Sequence, residues 1–352
     1  MSGDLDLEQR YRRVLRVLPV YYRAQWEEDM VGAFLDGWLT GDPDEDSVTM
    51  EYDRPTWPEV ASVIGLAARL YLGGLGTPRR YFAWGQAVRR AVLVMALVHA
   101  VVGLDALVLL DWNRRVISWL PAAPASLGAA TPNGVVPATV WYLVDFAWVM
   151  LFVALALGYY RAARVIGVLA IVPNLIYLLQ GQFTGLLPSP PLGPWAFWIL
   201  INLAPVLAMA AFHRDAPPTA RWPWLLALPA GYLLVEVPYL AVVATGNAAW
   251  LPDNSGFFCL LVSLACLAHA PRALSRTRRA AESGVWSLTL MLVAAVAGAY
   301  RIASLSDYRH DPHLIKVSLV ELLILLVTVA LVTPDAARTQ AAAPAPPYPH
   351  LG

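Results

Sequence analysis

Long apolar stretches dominate the chain from about Ala91 to Pro334, and each is near the length at which an α-helix crosses a lipid bilayer. A hydrocarbon core of roughly 30 Å requires about 20 helical residues for each crossing. The stretches lack the alternation of apolar and polar residues that a transmembrane β-barrel shows. Composition agrees, because 58% of the residues are hydrophobic, only 14% are charged and the mean hydropathy is +0.54. The sequence therefore predicts an all-α, polytopic membrane bundle rather than a soluble domain.

We predict eight membrane spans in this bundle, which occupies residues 86–333. The spans cover residues 89–110, 139–160, 164–183, 195–212, 222–245, 255–271, 284–304 and 313–333. Prolines inside several spans are compatible with membrane helices, since neighbouring helices satisfy the freed carbonyl groups. The Ala- and Pro-rich residues 334–352 predict a disordered tail.

Arginines between the spans collect in every second gap. With the N-terminus inside, the inner gaps and the tail contain nine arginines, whereas the outer gaps contain three. The positive-inside rule therefore places the N-terminus in the cytoplasm, and an even number of spans returns the C-terminus to the same side. We expect a multi-pass protein of the cell membrane whose first span acts as an uncleaved anchor, because no signal peptide precedes it.

Residues 1–85 predict a separate, cytoplasmic helical module. Residues 1–78 carry 14 acidic side chains against seven arginines, a net charge of −7. This acidic surface argues against nucleic-acid binding, which needs clustered basic residues. Helical periodicity predicts helices over Leu7–Leu18 and Tyr21–Trp38. Their apolar and aromatic faces are the candidate docking surface for a cytoplasmic regulator or a membrane partner protein, through Tyr11, Leu15, Tyr22, Trp26, Met30, Phe34 and Trp38.

Two further segments complete the predicted module. Thr56 and Glu59 have the spacing of a capping box, which predicts a third helix that ends at Leu72 before a group of glycines. The basic residues of Arg79–Arg90 predict a short amphipathic segment on the cytoplasmic headgroups, separate from the first span.

The order of residues in this module resembles a known family. The run YRRVLRVLPVYYRAQWEEDMVGAFLDGW, Tyr11–Trp38, is similar to the small helical module called HAAS. In that family the module precedes multi-spanning membrane segments and is often associated with PadR-type transcription regulators. The following Arg54–Gly74 resembles the same region of actinobacterial multi-spanning membrane proteins. The resemblance covers about a fifth of the chain and implies regulation by helix docking, without implying a role for any single residue.

Ionisable residues within the predicted spans form the candidate site. The topology places all of them toward the outer side, as Asp105, Asp145, Glu236, Arg301, Lys316 and Glu321. A charge at the centre of a membrane helix costs about 2.5–3.5 kcal/mol, so such residues pair with one another or line a wet cavity. One hypothesis is an outward-facing polar chamber that binds a proton or a cation. The alternative is that Arg301 and Lys316 neutralise two of the acids and that nothing binds.

Other polar residues give weaker indications. Asp307, His310, Asp311 and His313 crowd one outer loop, but their spacing matches no recognised metal site, so we expect no metal. His99 and His269 are expected to be hydrogen-bonded packing residues, and Asn174 and Asn202 are expected to bridge adjacent helices. Cys259 and Cys266 are about 10 Å apart along one helix, too far for a disulfide.

Common catalytic motifs are absent from the sequence. It has no Walker A motif, no GxSxG, no HExxH and no CxxC pair. We therefore expect no enzymatic activity and no cofactor. Two functional classes remain: a membrane-anchored regulatory or sensory component whose cytoplasmic module docks a partner, and a secondary transporter or permease component that uses the outer carboxylates.

Overall fold

The computed structural model describes residues 6–38, 42, 48, 53–73, 77–113, 138–183, 202–213, 220–244, 254–274, 280–305 and 312–341. Every regular element in these ranges is helical, so the predicted all-α class is confirmed for this part of the chain. The chain forms two compact units: the first contains the N-terminal residues up to Gly85, and the second begins at Gln86 and holds the remaining described helices.

Eleven helices lie within the described ranges. The first unit contains α1 (Leu7–Leu15), α2 (Val20–Asp36) and α3 (Trp57–Tyr71). Helix α4 (Arg79–Asn113) begins in the first unit and continues into the second. The second unit also contains α5 (Ala138–Leu157), α6 (Tyr160–Phe183), α7 (Asn202–Ala211), α8 (Arg221–Ala244), α9 (Asn254–Leu274), α10 (Ala280–Ser304) and α11 (Pro312–Ala341).

Local sequence signals define the ends of the N-terminal helices. Asp6 caps α1, because its Oδ1 accepts a 2.7 Å hydrogen bond from the Gln9 backbone N–H. The predicted capping box at α3 is present, and the Thr56 backbone N–H donates to Glu59 Oε2 at 2.6 Å. Gly73 follows α3 with φ +80°, a conformation that favours glycine, and a Cβ there would approach the backbone of Phe82.

A small apolar core holds α1, α2 and α3 together. It consists of Leu7, Tyr11, Leu15, Leu18, Val31, Phe34, Val63 and Ala67. The rings of Tyr11 and Phe34 stack with their centroids 3.9 Å apart, which joins α1 to α2. The helical periodicity of α1 and α2 therefore supplies an internal core for this unit.

Helix α4 differs from the prediction at its start. Arg79–Arg90 was expected to form a separate segment, but the structure shows a single helix from Arg79 to Asn113. The prediction of a break was wrong because no helix-breaking residue occurs within this range except Gly85 and Gly103, and both lie in close helix contacts. A Cβ at Gly85 would overlap the backbone of Leu72, and one at Gly103 would overlap the carbonyl of Asp145.

Each predicted span falls on a described helix of the second unit, from α4 to α11. Within the described residues, four stretches are long and apolar enough to cross a membrane: Arg79–Asp105, Ser255–Leu274, Ser283–Ser304 and Pro312–Ala341. Helices α9, α10 and α11 pack around one apolar cluster with part of α4. A second cluster joins α4, α5, α6 and α7. These apolar helices identify the second unit as a helical membrane bundle.

The end of α11 also differs from the prediction. The last span was predicted to stop at residue 333 and the tail to begin at 334, but α11 continues through Pro334 to Ala341. Asp335 and Ala336 are buried in this extension, so packing and hydrogen bonding compensate for the backbone donor that Pro334 lacks. The remainder of the predicted tail, from residue 342, lies outside the described residues.

Candidate functional site

Arg301 and Glu321 form a buried ion pair between α10 and α11. Arg301 Nη2 lies 2.5 Å from Glu321 Oε2, and the two residues are only 3% and 5% exposed. Arg301 Nη1 also donates a 2.7 Å hydrogen bond to Ser255 Oγ on α9. The three helices therefore meet at one polar cluster, which we call the outer cluster, of Ser255, Arg301 and Glu321. Its charges compensate each other, as a buried pair requires.

Lys316 and Asp145 do not join this cluster. The Lys316 side chain is exposed and forms no ion pair with any described residue, so the alternative in which it neutralises an acid stays a prediction. Asp145 lies on α5, partly exposed, and no hydrogen bond or ion pair to its side chain occurs among the described residues. Of the two cations in that alternative, Arg301 alone compensates an acid in the described part of the chain.

Asp105 and Glu236 form a second, different arrangement. Their carboxyl groups are neighbours between α4 and α8, and Tyr232 lies one turn before Glu236 beside both. Glu236 is 5% exposed, and neither of its carboxyl oxygens has a hydrogen bond of acceptable geometry to a described residue. No described lysine or arginine forms an ion pair with either acid. The structure thus brings together two of the six predicted residues, and within its described ranges no cation compensates them.

A third polar group, which the sequence did not predict, lies at the opposite end of α9, α10 and α11. The Ser283 and Ser287 hydroxyls donate to Asp335 Oδ2 at 3.0 and 2.9 Å. His269 Nε2 lies 3.1 Å from Ser287 Oγ and 3.2 Å from the Ser283 carbonyl oxygen. We call these four residues the inner cluster. Asp335 was overlooked because the predicted helix ended before it, although His269, as expected, is a hydrogen-bonded packing residue.

Two arginines donate hydrogen bonds to backbone carbonyl groups at the C-terminal end of α7. Arg89 Nη1 donates to the Ala211 carbonyl at 3.1 Å, and Arg164 Nη2 donates to the carbonyls of Phe212 at 2.8 Å and Met209 at 3.3 Å. The last four carbonyl groups of a helix lack partners within the helix and carry partial negative charge, so guanidinium groups stabilise this end. Neither arginine belonged to the predicted site, because the partners are backbone atoms.

Several remaining predictions concern packing residues. The His99 imidazole stacks on the Trp148 ring with centroids 4.2 Å apart, and Cys259 and Cys266 are buried and not joined in a disulfide. Asn202 is buried, but the side chain of Asn174 lies outside the described part, so their bridge stays a prediction. Asp307, His310 and Asp311 also lie outside it, and no described group of three His, Cys, Asp or Glu residues has the arrangement of a metal site.

The predicted docking surface is largely internal. Tyr11, Leu15 and Phe34 are buried in the core of the N-terminal unit, and Tyr22, Met30 and Trp38 pack partly against it. Their shared face was interpreted as a partner surface, but the three short helices need these side chains to form a core. Of the seven residues, only Trp26 is well exposed, at 43%. Docking therefore stays a prediction for the exposed surface of this unit.

Hydrogen bonds of Glu59 join α2 and α3 in the same unit. Its Oε1 accepts a 2.9 Å bond from Trp38 Nε1, and its Oε2 accepts from the Thr56 backbone. Burial raises the pKa of Glu59, but the bonds from Trp38 and Thr56 to the carboxylate outweigh it, so its pKa lies below the ordinary 4.5. On the surface, hydrogen bonds from Arg12 lower the pKa of Glu28.

Comparison with known proteins does not assign a family to this architecture. No protein-family model matches the chain, and no curated protein and no solved structure is significantly similar to it.

Proposed function

We propose that the second unit crosses the cell membrane eight times, with both termini in the cytoplasm. With eight crossings, the odd-numbered spans begin inside and the even-numbered spans end inside. Contacts among the described residues support this arrangement, since those at one end join helix starts and ends that should share the inner face. They are Arg89 with Ala211, Arg164 with Phe212, Trp224 with Trp286, and His269 with Ser287.

Contacts at the other end follow the same rule. They join residues that the topology places on the outer side, in the late part of an odd-numbered span or the early part of an even-numbered one: Asp105 with Glu236, Gly103 with Asp145, Ser255 with Ser304, and Arg301 with Glu321. Omitting one crossing between these helices would place some contact partners on opposite faces. The arginine distribution supplies the orientation, because the positive-inside rule assigns the arginine-rich end to the cytoplasm.

We infer that the protein is a membrane-anchored regulatory or sensory component whose N-terminal unit docks a partner protein. The observation that carries this proposal is that the unit has its own core yet keeps two tryptophans exposed, Trp26 at 43% and Trp57 at 83%. Tryptophan is enriched at the centres of protein interfaces. The resemblance of Tyr11–Trp38 to the HAAS module supports the same function. The outer cluster also agrees with it, because the charges of Arg301 and Glu321 compensate each other and require no bound ion.

Partner capture from cells that express the tagged full chain tests this proposal. A chain lacking residues 1–76 keeps α4 whole and should lose the partner, and Trp26→Ser or Trp57→Ser should weaken its capture about tenfold, as loss of an interface tryptophan does. Trp222→Ser removes an exposed tryptophan from the bundle and is the matched control. Unchanged capture by the truncated chain would exclude docking through this unit.

Transport is the second candidate function, and the Asp105–Glu236 pair favours it. Membrane carboxylates without a cation are typical of proton or cation binding sites in secondary transporters. Proton or cation flux into vesicles that contain the full chain should then be lost in Asp105→Asn and Glu236→Gln. Lys316→Gln, an exposed change outside the pair, should leave the flux unchanged. No difference between vesicles with and without the protein would exclude this candidate.

A further inference from the structure

Arg89, at the start of the predicted first span, is almost completely buried, which is unusual for a charged side chain. It is 1% exposed, and its Nη1 donates a hydrogen bond to the Ala211 carbonyl. Its Nε and Nη2 are buried without a partner among the residues that the structure describes. These two nitrogens form one edge of the guanidinium, with two parallel N–H groups directed the same way. Such an edge matches two oxygens of a carboxylate or a phosphate.

No acidic side chain in the described part of the chain compensates this charge. Arg89 forms no ion pair there, and its electrostatic neighbours are the like charge of Arg90 and the hydroxyl of Tyr160. Arg164 adds a second guanidinium at the same helix end. An uncompensated buried charge is costly, and the partial charge of a helix terminus offsets only part of that cost. Among the described residues, the end of α7 therefore has an excess of positive charge.

The depth of this site indicates the source of the anion. Under the proposed eight-span topology, on which this step depends, residue 89 begins the first span, Arg164 the third, and Phe212 ends the fourth. All three lie at the cytoplasmic interface, where the phosphates of lipid headgroups are found. Basic pockets between membrane helices on this face bind anionic headgroups.

We propose that Arg89 and Arg164 bind a phosphate group, that of an anionic lipid headgroup in the inner leaflet. The Nε and Nη2 edge of Arg89 holds two phosphate oxygens, while the Ala211 carbonyl fixes the guanidinium through Nη1. Arg164, whose side chain is exposed, swings from the end of α7 to admit the phosphate and then holds a third oxygen. The Tyr160 hydroxyl is the neutral donor beside Arg89.

Binding of lipid to the full chain in detergent micelles tests this proposal. Phosphatidylglycerol, the anionic probe, should raise the thermal unfolding midpoint more than phosphatidylcholine and should be retained preferentially on purification, as measured by mass spectrometry. Arg89→Lys keeps a charge but loses the two-donor edge, and Arg164→Gln removes the exposed arm. Each should weaken phosphatidylglycerol binding about tenfold, as expected for lost charge-assisted hydrogen bonds. Arg161→Gln, an exposed change on the same helix at a residue without a hydrogen bond to α7 among the described residues, should leave it unchanged.

The outcomes are distinct. Equal retention of the two lipids by the unchanged protein overturns the proposal, as does a loss in Arg161→Gln as large as that in Arg164→Gln, since that would be a general charge effect. Inorganic phosphate is tested alone in phosphatidylcholine micelles. A gain in midpoint that Arg89→Lys abolishes would support the phosphate site and identify the soluble ion as its source. Micelles have no sidedness, so an error in the proposed orientation would not alter these results.

Discussion

Buried charges in this bundle fall into two groups according to what surrounds them. Arg301 and Glu321 compensate each other, and Asp335 accepts two hydroxyl hydrogen bonds. Glu236 and Arg89, in contrast, are buried without an oppositely charged side chain among the described residues. Because an isolated buried charge costs more free energy than a paired one, the second group contains the candidates for binding and the first those for stability.

The Arg301–Glu321 pair predicts a strong effect on stability. Arg301→Met or Glu321→Leu alone should lower the free energy of unfolding by about 3–5 kcal/mol, because each leaves one buried charge without its partner. The double variant should recover most of that loss. Unfolding in mixed detergent micelles measures all three variants in one double-mutant cycle. Additive losses in the double variant would contradict a direct interaction.

Glu59 predicts a pH dependence in the N-terminal unit. Its folded pKa lies below the ordinary 4.5, so its hydrogen bonds contribute stability above about pH 4.5 and lose it as the pH falls through the folded pKa. Hydrogen-exchange protection factors of α3 in the full chain, corrected for intrinsic rates, should therefore fall in that acidic range. Glu59→Gln should show lower protection at neutral pH and no such fall. An equal fall in the variant would assign it to another group.

Helices in this chain are longer than their apolar patterns alone indicate. Helix α4 starts ten residues before the predicted first span at residue 89, and α11 continues eight residues past the predicted end at 333. In both extensions, packing of small or polar residues against a neighbouring element continues the helix. At the end of α11, Thr339 lies so close to Gly284 that a Cβ there would overlap its side chain.

Substitution of glycine by alanine is expected to have opposite effects on stability at Gly103 and Gly298. Gly103→Ala should destabilise the bundle by about 1–3 kcal/mol, because the new Cβ overlaps the Asp145 carbonyl and forces α4 and α5 apart. Gly298→Ala is the matched control, since its Cβ would lie 3.5 Å from Leu325 Cδ2, an ordinary contact. It should be neutral or stabilising by up to about 1 kcal/mol through helix propensity. Thermal unfolding of both variants in micelles distinguishes them, and equal midpoints would contradict the close crossing.

At the scale of the whole molecule, apolar length predicted the all-α class and the approximate positions of the described helices α4 to α11, while the orientation that the arginines indicate stays a prediction. The contacts between individual charged side chains were less predictable. The sequence placed Asp105, Glu236, Arg301 and Glu321 in the same half of the bundle, but only the packing of the helices shows which acid neighbours which residue. The inner cluster was not predicted for a related reason. Asp335 follows Pro334, where the predicted span had already ended, and the partners of Asp335 lie on two other helices.

Similarly, periodicity identified the apolar faces of α1 and α2 but not what covers them. A stripe of Tyr, Leu and Phe has the same spacing whether it faces a partner or an internal core. Helix α3 shows that these side chains face an internal core, since Val63 and Ala67 of α3 are buried with Tyr11 and Phe34. Tertiary contacts of this kind are not encoded in the spacing of one helix.

The eight-span topology predicts which sites an impermeant thiol reagent reaches in intact cells. In a background with Cys259→Ala and Cys266→Ala, Ser2→Cys and Ala345→Cys should stay unlabelled until the cells are lysed. Ala122→Cys, in the first predicted outer gap, should react without lysis. The expectation follows from the inner excess of arginines. Labelling of position 2 or 345 in intact cells would contradict the orientation.

The inner cluster fixes the direction of its hydrogen bonds. Ser287 donates its only hydroxyl hydrogen to Asp335, so it can only accept from His269, and the Ser283 carbonyl likewise accepts. Nε2 must then carry a hydrogen and act as the donor. The contact between α9 and α10 at this point therefore has a fixed polarity, in which α9 donates and α10 accepts.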